Sequence, residues 1–147
     1  MSLDVYLYSL ESVVNVSTGI FVRENGNTRE LTMEEVRHRY PDHVVQEQVF
    51  ETNLVFQANI THNLNKMAIA AGIYEYLWRP EEINITTAKE LIDPLREGLH
   101  DLKMNPDKYK EYNPENGWGT YEGLVNFVSK YLNACYDFPE ATIEVCR

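Results

Sequence analysis

LVFQANITHNLNKMAIAAG (residues 54–72) changes its period midway, and that change decides the fold. Leu54 to Ile60 is rich in β-branched and aromatic residues and reads as a strand. From Ile60 onward the apolar residues Ile60, Leu64, Met67, Ala68 and Ala71 recur at helical spacing, and Gly72 is placed to close the helix. A strand that passes straight into a helix, with Asn59, Thr61, His62 and Asn63 at the junction, belongs to a mixed fold.

Working outward toward the N-terminus, residues 4–9 alternate as a strand, and residues 12–23 form a second strand-like region with Gly19 as a break. Glu24-Asn25-Gly26-Asn27 carries the Asn-Gly hairpin signal, with Thr28 to Leu31 as the return strand. Thr32 with Glu35 three places on predicts a capped helix over Met33–Arg39, stopped by Pro41. His43–Phe50 and Leu54–Ile60 read as a long hairpin turning at Glu51-Thr52-Asn53.

Toward the C-terminus, Ile73–Trp78 predicts a further turn or two of helix before Arg79-Pro80. Thr87 with Glu90 is a second capping box, followed by one apolar stripe from Ala88 to Leu102. Pro94 inside that stripe either kinks the helix or restarts it, and the unbroken stripe favours a kink. A short helix follows from Asn105-Pro106-Asp107 through Tyr112, then a loop over 112–119, then a helix from Thr120 to Tyr136. Ala141–Cys146 alternates as a last strand. The fold class expected is α+β: an antiparallel sheet of hairpins plus the C-terminal strand, covered on one face by three to four helices. Residues 1–147 read as a single domain, with 12–50 as a hairpin-plus-short-helix insertion. The sheet face left uncovered would permit a homodimer.

The chain has 147 residues and a net charge of −10. That balance repels phosphate backbones and disfavours direct nucleic-acid binding. It also admits an acidic decoy of a nucleic-acid-binding protein, although the acids are scattered without phosphate-like spacing. No run approaches the eighteen or so apolar residues of a membrane span, and no basic region followed by an apolar core opens the sequence. The expectation is therefore a cytoplasmic protein, away from membranes. There Cys135 and Cys146 are free thiols, and the Asn-x-Thr/Ser patterns at Asn15, Asn59 and Asn84 are chance matches.

Two segments carry the candidate chemistry. His62 stands among Asn59, Thr61 and Asn63, where an imidazole could move a proton and the amides of Asn59 and Asn63 could bind a ligand from one helix face. The simpler reading makes Asn, Thr and Asn ordinary helix caps, with His62 bonded to a loop carbonyl. Trp118, between Gly117 and Gly119, and Tyr121 could form a stacking wall, with Glu122 as acid, base or acceptor. The simpler reading makes Trp118 a plug over the core and Glu122 a favourable charge at a helix start. His38, His43, His62 and His100 show no metal-ligand spacing, so no metal and no cofactor is expected.

Ala58–Leu64 (ANITHNL), Leu77–Glu82 (LWRPEE) and Asn113–Leu124 (NPENGWGTYEGL) occur in this order, and together they resemble a family of small uncharacterised proteins found in bacteria, prophages and phages. The likeness spans about Val55 to Arg147. It implies a shared fold, a shared site and an accessory role, and no particular activity. The first expectation is thus a non-enzymatic module that binds a small ligand or a protein partner. The alternative is a small enzyme or nucleotide-like ligand binder using His62 and Glu122 beside a Trp118/Tyr121 wall.

Overall fold

The structure is a computed structural model that describes residues 1–13, 19–42 and 49–147. It is an α+β protein. The described elements are β1 (Ser2–Val13), β2 (Phe21–Glu24), β3 (Asn27–Glu30), α1 (Met33–Arg39) and β4 (Val49–Thr61). A 3₁₀ turn at His62–Leu64 leads into α2 (Asn65–Ala70), then α3 (Tyr74–Trp78), α4 (Lys89–Met104), α5 (Pro106–Lys110), α6 (Tyr121–Asp137) and β5 (Thr142–Cys146). The chain divides into two compact units, Met1–Ser9 with Asn53–Arg147, and Leu10–Thr52.

In the larger unit the strand order is β4-β1-β5. β5 pairs antiparallel with β1, placing Val5 opposite Val145 and Leu7 opposite Ile143. The His62 N–H donates to the Met1 carbonyl, so the end of β4 lies beside the start of β1 and these strands also run antiparallel. Alternation sorts the faces: Leu3, Val5 and Leu7 are fully buried, whereas Ser2, Asp4, Tyr6 and Tyr8 are not. Ile60 of β4 joins the buried face, and Ile143 and Val145 of β5 pack against it. Over that face lie Leu64, Met67, Leu77, Leu91, Leu95, Leu124, Val128 and Tyr131 from the helices.

Most helix ends follow the sequence, but the capping box expected at Thr87 does not form: the N-cap of α4 is Ala88, with no side-chain cap bond, and the Thr87 N–H and hydroxyl both donate to Glu90 Oε1. Gly72, at φ +76°, closes α2 in a Schellman arrangement: its N–H reaches the Ile69 carbonyl and the Ile73 N–H the Ala68 carbonyl, each at 3.0 Å. Gly98 is bare because a Cβ there would strike the buried Ile73 side chain, which lets α4 approach the chain between α2 and α3. Pro94 lies inside α4, which continues to Met104 without a restart. Two further expectations need correction. Glu51-Thr52-Asn53 does not turn, because β4 runs unbroken from Val49 to Thr61; of the partner strand expected over 43–50, residues 43–48 lie outside the described residues and 49–50 belong to β4 itself. The region expected as strand over 12–23 has its middle, 14–18, outside them too, and β2 itself begins only at Phe21, after Gly19 takes up φ +70°.

In the smaller unit the Asn-Gly signal holds. Asn25 and Gly26 both adopt positive φ, 50° and 78°, as the tight turn between β2 and β3 requires. Thr32 and Glu35 form the reciprocal capping box of α1. Arg29 bonds both oxygens of Glu35, at 2.7 and 2.8 Å, and also engages Glu24.

Candidate functional site

The three sequence motifs converge. His62 accepts at Nδ1 a 2.8 Å hydrogen bond from Trp78 Nε1, which joins the ANITHNL segment to LWRPEE. Trp78 is buried and stacks on Tyr74 with ring centroids 5.3 Å apart. The NPENGWGTYEGL loop comes against the same junction through Gly119, whose Cα stands so close to Thr61 and Leu64 that a Cβ would lie 2.7 Å from Thr61 Cγ2 and 2.9 Å from Leu64 Cγ.

The loop is shaped by two asparagine side chains. Asn113 Oδ1 accepts from the Tyr121 N–H at 2.8 Å, and Asn116 Oδ1 accepts from the Trp118 N–H at 2.9 Å. Gly117, at φ +73°, completes a turn by donating to the Pro114 carbonyl. The result lifts Trp118 out of the protein: it is 71 % exposed.

Beside Trp118 lies an open groove of about 500 Å³, lined by Met1, Ser2, Asn59, Thr61, Asn63, Asn116 and Trp118. Three of the residues singled out in the sequence, Asn59, Asn63 and Trp118, meet here. They do not meet as an i,i+4 pair on one helix. Thr61 caps the 3₁₀ turn by accepting from the Asn63 N–H, so the turn starts at His62 and Asn59 remains in β4. The asparagines reach the same groove from the strand and from the turn that follows it. Asn59 Nδ2 donates to Ser2 Oγ and Asp4 Oδ1 at 2.9 and 2.7 Å, which fixes its amide and directs its acceptor oxygen elsewhere.

The other candidates lie apart. His62 lines a second groove, of about 540 Å³, with Asn63, Lys66 and the Glu111–Glu115 stretch. Because Nδ1 accepts from Trp78, the neutral ring carries its proton on Nε2. Tyr121 is 8 % exposed and lines neither groove; its hydroxyl donates to the Leu102 carbonyl at 2.5 Å, and burial raises its pKa. Glu122 is exposed and faces Lys110 Nζ at 3.8 Å, also outside both grooves. The expected wall of Trp118 and Tyr121 is therefore not formed: Trp118 lines the groove and Tyr121 does not.

Sequence reasoning missed Asn116 and Thr61 as groove residues and Trp78 as the partner of His62. The Asn-x-Trp spacing of Asn116 and Trp118 was the available signal, since an asparagine commonly binds the backbone two residues on. Among the described residues no three His, Cys, Asp or Glu side chains gather as metal ligands would, and no helix is long and apolar enough to cross a membrane. Comparison with protein-family models, with curated proteins and with solved structures finds no match to the chain.

Proposed function

We propose that the protein is a non-enzymatic binding module whose ligand seats in the Trp118 groove. One observation carries this reading: a tryptophan 71 % exposed is held beside a concavity by a loop that two asparagine side chains and two positive-φ glycines pin in place. Exposing an indole forgoes the burial of a large apolar surface, about 1.5–3 kcal/mol for a big side chain. A loop built to present it is what a recognition surface needs.

The separation of His62 from Glu122 supports binding over proton transfer. One nitrogen of His62 is taken by Trp78, and Glu122 faces Lys110 beyond the groove. The resemblance of the three motifs to small phage and prophage proteins supports an accessory role for such a module.

The test is a thermal-shift screen of saccharides, nucleosides, nucleotides and short peptides against the wild type and Trp118→Ala. At least one class is expected to raise the melting temperature of the wild type and leave the variant unmoved. A screen in which every compound affects both proteins alike would overturn the reading.

A further inference from the structure

Resting on that reading, we infer that the ligand of the Trp118 groove is an uncharged saccharide. The groove pairs one aromatic face with a rim of neutral amides and hydroxyls. Each polar group has capacity left after its internal bonds are counted. Asn59 spends its amide N–H groups on Ser2 and Asp4, which leaves Oδ1 to accept. Asn116 spends Oδ1 on the Trp118 N–H, which leaves its NH₂ to donate. Thr61 Oγ1 accepts from the Asn63 N–H and Ser2 Oγ from Asn59, so both hydroxyl protons remain to donate. Asn63 is exposed and its side-chain amide can do both.

A rim that offers both donors and acceptors matches vicinal hydroxyls, each of which can also donate and accept. The C–H face of a pyranose matches the face of an indole, through dispersion and weak C–H contacts. The other planar ligands fit less well. A nucleotide carries phosphate, and the lining offers it no lysine, arginine or histidine side chain, the one cationic group on a lining residue being the Met1 α-amino group, in a chain of net charge −10. A bare nucleobase has two faces to cover, and Trp118 is the single aromatic ring in this lining. The volume of about 500 Å³ falls within the usual 300–1,000 Å³ of small-molecule sites. An open groove with one stacked face predicts weak binding, with Kd on the order of 1 mM.

The experiment titrates neutral mono- and disaccharides into the full chain, with nucleosides and short peptides as parallel arms. It follows tryptophan fluorescence and ligand-detected saturation-transfer NMR. Trp78 is buried and bonded to His62, so Trp118 is the ring whose emission a groove ligand changes. A saccharide is expected to bind the wild type, to lose binding in Trp118→Ala, to retain part of it in Trp118→Phe, and to weaken at least tenfold in Asn63→Ala. Both sites are exposed, and unchanged circular dichroism confirms folding of each variant. If a nucleoside or peptide binds through Trp118 while every saccharide fails, the ligand class proposed here falls and the binding module stands. If saccharides bind Trp118→Ala as well as the wild type, the groove is not their site and the inference falls. If no ligand of any class distinguishes the two proteins, both readings fall.

Discussion

Gly119 and Leu64 are 55 positions apart in the chain, yet only hydrogen fits between the Gly119 Cα and the Leu64 side chain: a Cβ there would stand 2.9 Å from Leu64 Cγ. This contact brings the loop bearing Trp118 to the strand-to-helix junction bearing Asn59 and Asn63, and so creates the groove. Gly119 also adopts φ +112°, a region closed to ordinary side chains.

Gly119→Ala therefore meets two penalties, backbone strain and overlap with buried neighbours. Each costs about 1–3 kcal/mol. Gly117 adopts φ +73° with open space around it, so Gly117→Ala meets strain alone, about 1–2 kcal/mol. Urea denaturation should rank the two variants in that order, with Gly119→Ala also losing ligand binding. Equal costs would show that the close approach to Leu64 contributes nothing.

His62 serves Trp78 before it can serve any ligand. His62→Ala leaves a buried indole N–H without its acceptor, at a cost of about 1–3 kcal/mol. Once Trp78 is replaced by Phe there is no donor left to orphan, so adding His62→Ala should cost much less. A double-mutant cycle read by chemical denaturation tests this, and additive losses would remove the bond from the account.

These relationships explain what could be read in the chain and what could not. The change of period at Ile60, the Asn25-Gly26 turn, the Thr32/Glu35 box and the Gly72 helix stop are each written in adjacent residues, and the structure follows them. Local signals failed where the outcome depends on distant partners. Glu51-Thr52-Asn53 has turn composition, but β4 continues through it. Asn59 and Asn63 stood out in the sequence as candidates, whereas their route to one groove depends on where the Thr61 cap starts the helix. Tyr121 next to an exposed tryptophan suggests a wall, yet its hydroxyl is drawn to Leu102 of α4, nineteen residues back. The bond between Trp78 and His62 has no local signature at all.

Among the described residues, the buried Tyr131 hydroxyl finds no hydrogen-bond partner, and its ring packs against Phe56 and Phe127. Burial raises its pKa above the ordinary tyrosine value. An unmet polar group in the core opposes folding, so Tyr131→Phe should be neutral or stabilise by up to about 1–2 kcal/mol. Thermal melts measure it directly. A clear loss of stability would mean that the hydroxyl does have a partner in solution.

One acid-sensitive contact lies in the smaller unit. The paired hydrogen bonds from Arg29 hold the Glu35 carboxyl at about 2 against an ordinary 4.5, helped by the bonds from Thr32. The folded-state pKa is depressed, so this contribution is complete above about pH 4.5 and is lost as pH falls toward 2. Glu35→Gln keeps an acceptor for the helix cap and removes the charge. Its stability should fall less steeply than that of the wild type between those values. Amide hydrogen exchange over α1 would locate the effect, and parallel acid limbs for the two proteins would refute it.

Cys135 and Cys146 are both free thiols with opposite surroundings. Cys135 is fully buried on α6, and burial pushes its thiol up to about 12, so almost no thiolate forms near neutral pH. Cys146 is exposed at the end of β5. A thiol reagent such as Ellman's should therefore modify one cysteine per native chain quickly, and the second only on unfolding. Mass mapping should place the fast label on Cys146, and Cys146→Ser should abolish it while leaving the slow phase. Fast labelling of Cys135 in the native protein would mean that α6 opens locally, and the rate of that reaction would then measure how often the core beneath the sheet is exposed.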